Sequence, residues 1–144
     1  MAGTWGGTLS SSTGEKSPFV VIFTANGNPT FGCDTKTGLK PVEITRPGQN
    51  FNFIAPDGGI VSVTIKALFV SAKLVRYEFS RSYTKGGGVM VQKEMTGLSE
   101  FALAGAELDV RITIRGGLGG LSGNGGFVQM NGRNVVVSAR LQRR

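Results

Sequence analysis

Ile60–Val70 reads IVSVTIKALFV, and Val61, Val63, Ile65, Ala67 and Phe69 alternate there with Ser62, Thr64 and Lys66. Successive side chains of an extended chain point to opposite faces, so the segment has one apolar and one polar side. Residues 108–115 repeat the pattern, with Leu108, Val110, Ile112 and Ile114 opposing Asp109, Arg111, Thr113 and Arg115. This is the signature of antiparallel strands that rest one face on a core and leave the other in water.

Working outward, the same alternation predicts strands at 3–10, 18–24, 30–33, 42–45, 50–54, 74–83, 89–95, 127–130 and 133–141. Turn residues separate them: Asn26-Gly27-Asn28, Pro47-Gly48, Asp57-Gly58-Gly59, Ser71-Ala72-Lys73, Gly86-Gly87-Gly88 and Gly105. Asn131-Gly132 suits a type I′ hairpin joining 127–130 to 133–141, because both residues tolerate positive φ. Residues 98–108 (LSEFALAGAEL) contain helix formers with Ser99 as a candidate cap. Their strand neighbours favour a strand carrying Phe101 and Leu103, turning at Gly105. Residues 116–126 (GGLGGLSGNGG) have seven glycines in eleven positions and are expected to form a flexible loop.

With 144 residues the chain is expected to be one domain, 1–144. Short connections and the absence of a crossover helix point to an all-β, antiparallel up-and-down meander of about eight to ten strands. Closing it into a barrel covers its apolar face, and a β-sandwich is the alternative.

Composition bounds the chemistry. There is no histidine, and Cys33 is the only cysteine. Ser-His-Asp and Cys-His catalysis and the usual zinc, copper and iron–sulfur ligand sets are thereby excluded, so no cofactor or metal is expected. Cys33 reads as a buried, inert thiol, with an intermolecular disulfide as the alternative. No stretch is apolar for long enough to predict a membrane span. The start, Met1-Ala2-Gly3-Thr4-Trp5, lacks the apolar core of a signal peptide. A cytosolic protein and a mature secreted or periplasmic form with an added Met1 are both open, and the second is preferred.

Gly3-Thr4-Trp5 resembles the Gly-x-Trp element on the first strand of the calycin superfamily, which contains lipocalins, avidins and fatty-acid-binding proteins. The resemblance implies a lipocalin-like barrel with a ligand inside. It also implies a basic residue near the C-terminal strand that packs across the tryptophan and helps close the barrel, a role that Arg140 best matches.

Several groups are candidates for function. Val75, Tyr77, Phe79, Arg81 and Tyr83 share a face; turned inward, they would set polar groups in an apolar pocket, and turned outward they are ordinary cross-strand pairs. Pocket walls are expected from Val61, Val63, Ile65, Phe69, Leu108, Val110, Ile112 and Ile114, with Tyr77, Phe79 and Arg81 contributing to the ligand site. Glu107 and Asp109 have a spacing compatible with paired carboxylates, but their face continues with Arg111 and Arg115 and reads as a solvated strip.

The 16 Lys and Arg against nine Asp and Glu give +7, a balance that attracts anions without naming one. Lys66, Arg76, Arg111, Arg115, Arg133, Arg140, Arg143 and Arg144 lie among acids, which disfavours nucleic-acid binding through basic strand faces. The expected function is a non-catalytic binding protein holding a small apolar or amphipathic ligand, with homo-oligomerisation allowed. The alternative is a self-assembling β-protein subunit of a coat, tube or fibre.

Overall fold

The computed structural model describes residues 1–31, 41–54, 58–84, 91–115, 118–123, 126–131 and 134–144, with the backbone alone at 53, 83, 91–94, 118–123 and 126–131. Cys33 lies outside the described residues. Twelve strands follow in chain order: β1 (Gly3–Ser11), β2 (Lys16–Phe23), β3 (Thr30–Phe31), β4 (Val42–Glu43), β5 (Asn50–Ile54), β6 (Ile60–Val70), β7 (Leu74–Thr84), β8 (Val91–Ala104), β9 (Glu107–Arg115), β10 (Leu118–Gly123), β11 (Gly126–Asn131) and β12 (Val135–Arg143). No helix occurs among the described residues, so none there is long and apolar enough to cross a membrane.

Eight strands form one antiparallel sheet in the order β2-β1-β12-β9-β8-β7-β6-β5, curled into a half-barrel. The run β5 to β9 is the expected meander, and residues 98–104 are strand as expected, turning at Gly105 with φ 62°. A seam between β1 and β12 joins the two ends of the chain, with Trp5 opposite Arg143. The barrel stays open: β2 and β5 end the sheet and are not hydrogen-bonded to each other among the described residues.

Two expectations at the glycine-rich region change. Residues 118–123, expected to lie in a loop, form β10 and pair with β11 from Leu118↔Asn131 to Gly123↔Gly126. A ladder uses backbone N–H and C=O groups, so glycine can join one wherever a partner strand is placed beside it. Residues 116–117 and 124–125 lie outside the described residues. The hairpin expected across Asn131-Gly132 is not the pairing found, because β12 pairs with β9 instead, matching Val135↔Ile114, Val137↔Ile112, Ala139↔Val110 and Leu141↔Leu108. That register buries both apolar rows on one face.

The paired β3 and β4 form a strap between edge β2 and edge β5. The Thr30 hydroxyl donates to Ile22 O (2.9 Å) and accepts from Ile22 N (3.3 Å), fastening β3 to the β2 edge through a side chain. At the far side Gln49 Nε2 donates to Glu43 O and its Oε1 accepts from Thr45 N, both at 2.8 Å. Ile44, fully buried, pins this strap to the core.

Inside the curl one apolar cluster gathers Trp5, Val21, Phe23, Ile44, Val61, Val63, Ile65, Val75, Tyr77, Phe79, Phe101, Leu108, Val110 and Leu141. A second joins Leu9, Met95, Ile114, Val135 and Val137. An aromatic chain crosses the interior from one open edge to the other: Phe23–Phe101 (5.3 Å), Phe101–Tyr77 (6.2 Å), Tyr77–Phe79 (5.9 Å), Phe79–Phe31 (5.6 Å) and Phe31–Phe51 (5.4 Å). Edges that no ladder closes are thus tied by ring contacts, which prefer such edge-on and offset arrangements.

Candidate functional site: the concave face of the half-barrel

The strands run up and down, so the two ends of the half-barrel differ. At one end lie both chain termini and the β6–β7 and β8–β9 turns, and here Trp5, Phe23, Val75, Phe101, Leu108 and Leu141 are packed almost without exposure. Trp5 Nε1 donates to Met1 O at 2.9 Å. The arginine over its ring is Arg143, with the guanidinium carbon 4.5 Å from the centroid, and not Arg140. Arg140 sits on the convex face, where its Nε donates to Asp109 Oδ1 at 2.9 Å. The reason is parity: Val135, Val137 and Leu141 face inward, so Arg143 shares their side and Arg140 does not.

The odd-numbered residues of β7 from 75 to 81 face inward. Val75, Tyr77, Phe79 and Arg81 are all buried, while Arg76 and Glu78 between them are exposed. Val63, Ile65, Val110 and Ile112 also lie on the concave side, Val63 opposite Arg81 and Ile65 opposite Phe79. The Tyr83 side chain lies outside the described residues.

Phe69 is a correction. It is 49% exposed on the convex face, with Arg76 5.9 Å from its ring centroid. Between Ile65↔Phe79 and Ala67↔Glu78 the register slips by one residue at Lys66. Such a bulge turns every later side chain to the opposite face, so Leu68, opposite Tyr77, takes the inward place expected for Phe69.

Other residues of the site were not singled out from the sequence. Ser99, opposite both Tyr77 and Ile112, is buried and shares a hydrogen bond with the Tyr77 hydroxyl. Burial pushes the Tyr77 phenol up to about 12, against a smaller lowering from that bond. Gly97 lies under the Phe79 ring: a Cβ there would fall 2.3 Å from Phe79 Cζ. Met95 is opposite Arg81, and Phe31 reaches in from the strap. The parity of Phe101 and Leu103 already places Ser99, Gly97 and Met95 on one side, a signal available in the alternation. Phe31 had no such signal, since its place depends on the chain crossing between the edges.

The polar feature of this face is Arg81. Its surroundings in the sheet are Val63 and Met95 across the ladders and Phe79 along the strand. Nε and Nη2 are buried and have no hydrogen-bond partner among the described residues. Removal from water lowers its pKa to about 10.

The convex face carries interleaved charge. Glu100 stands opposite Arg76 on one side and Arg111 on the other, and Asp109, by its hydrogen bond and charge, together with the charge of Glu107 holds the Arg140 guanidinium in its charged form. No group of three or more His, Cys, Asp or Glu side chains forms among the described residues.

No protein-family model, curated protein or solved structure matches this chain. The functional reading therefore stands on the geometry alone.

Between the two apolar clusters, Phe19, Ile112 and Ala139 point to the concave side and pack on both, yet stay partly exposed.

Proposed function

We propose that this chain is a non-catalytic binding protein that holds a small apolar or amphipathic ligand on the concave face of its half-barrel, with the calycin-like closed end at Trp5 as its floor. The observation that carries the reading is the partial exposure of Phe19, Ile112 and Ala139 on a face where Val21, Val110, Ile114 and Val137 beside them are buried. Apolar surface left wet inside a concavity is the environment that an apolar ligand body gains by filling.

Native mass spectrometry of the purified protein, without prior lipid extraction, tests it. The expected result is a monomer with extra mass that organic solvent removes. The second reading is a self-assembling subunit, favoured by the open β5 edge with Ile54 67% and Ile60 49% exposed beside each other. A defined oligomer with no extra mass would select that reading instead.

A further inference from the structure

Arg81 is the one buried charged residue among the described residues, at 8% exposure. The single ion pair among those residues joins Arg140 and Asp109, so no carboxylate there offsets the Arg81 charge. A buried ion without a partner destabilises a fold, and an apolar side chain of similar volume would pack better. Tyr77, the other polar group on the inward row of β7 from 75 to 81, is already engaged by Ser99.

The identity of the unpartnered atoms narrows what would satisfy them. Nε–H and the syn hydrogen of Nη2 lie on one edge of the guanidinium plane, forming a two-donor fork. That fork matches the paired oxygens of a single oxyanion, which it binds bidentately and strongly where water is excluded. Around it stand Val63, Met95 and Phe79, so the remainder of such a ligand meets apolar surface. Met95 is unbranched and adaptable, the neighbour best able to give way as the head group reaches the fork.

We propose that the ligand is an anionic amphipath whose oxyanion head, carboxylate or phosphate, is bound by the Nε/Nη2 edge of Arg81 while its apolar body lies on the concave face. This rests on the reading of that face as a ligand site.

Isothermal titration with decanoate, decyl phosphate and decanol, each below its micellar concentration, tests it on the wild-type protein and on Arg81→Met. The expected result is wild-type affinity for at least one anion about tenfold or more above that for decanol, the scale of a hydrogen bond to a charged group. Arg81→Met removes the preference while decanol still binds, and the tighter of the two anions identifies the head. Equal binding of all three to the wild-type protein overturns the oxyanion assignment but leaves the ligand site standing. Binding of none of them overturns both. Without any ligand, Arg81→Met raises the melting temperature; a lowered one shows that the guanidinium is held by the fold itself, and the proposal falls.

Discussion

Arg143 covers the Trp5 ring at 4.5 Å, while Arg140, three residues earlier on the same strand, points to the opposite face and pairs with Asp109. Both are arginines of β12, and a single step of parity decides which one seals the end of the half-barrel. Arg143 also donates to the Ala2 carbonyl, so it holds the N-terminal segment as well as the indole. Arg143→Ala is expected to cost about 1–2 kcal/mol, a cation–π contact plus a charged hydrogen bond. Arg140→Ala, which breaks an exposed, solvent-screened ion pair, is expected to cost much less. Urea denaturation of the two variants checks the contrast, and equal losses would count against the assigned roles.

The bulge at Lys66 makes an equally direct contrast between neighbours. Leu68 packs on the core and Phe69 lies outside it, although Phe69 is the larger apolar side chain. Leu68→Ala is expected to lose about 1–3 kcal/mol, and Phe69→Ser to change stability by about 0.5 kcal/mol or less. The reverse ranking in chemical denaturation would mean that the register does not slip there.

Gly97 is required by a ring. Its absent side chain leaves the space that Phe79 occupies, so Gly97→Ala forces Phe79 out of its position between Tyr77 and Phe31. A cost of about 1–3 kcal/mol is expected from overpacking. Combining it with Phe79→Leu, which withdraws the ring, should recover part of the loss in a double-mutant cycle.

Tyr77 and Arg81 give opposite responses to alkali. The Tyr77 phenol has its pKa raised from 10.0 to about 12, so its contribution to stability is fully present below about pH 10 and is lost as pH rises toward 12. Arg81 has its pKa lowered from 12.5 to about 10, so its burial penalty is in force below about pH 10 and is relieved as pH rises above that. In Arg81→Met only the Tyr77 contribution remains, and stability should fall more steeply above pH 10 than in the wild-type protein. Tyr83→Phe leaves Tyr77 as the sole tyrosine, since the chain has two. Its absorbance titration should then centre near 12, and a midpoint near 10 would place the phenol in water.

What the sequence determined by itself is local. Side chains alternate with a period of two whatever the partner strand, so the strands, their apolar sides and the inward row Leu108, Val110, Ile112 and Ile114 were legible from residue order. The alternation of 135–141 even carried the information that Arg143 shares a face with Val135, Val137 and Leu141. Tertiary structure decided everything that depends on which strand lies beside which. The place of β12 between β9 and β1 follows from matching rows that are distant in the chain, and the pairing of β10 with β11 and the slip at Lys66 from which residues of consecutive strands are set opposite each other. The inward turn of Tyr77, Phe79 and Arg81 belongs to the same class. Their alternation sets them on one side of the strand, opposite Arg76, Glu78 and Ser80, and only the curl of the whole sheet makes that side an interior.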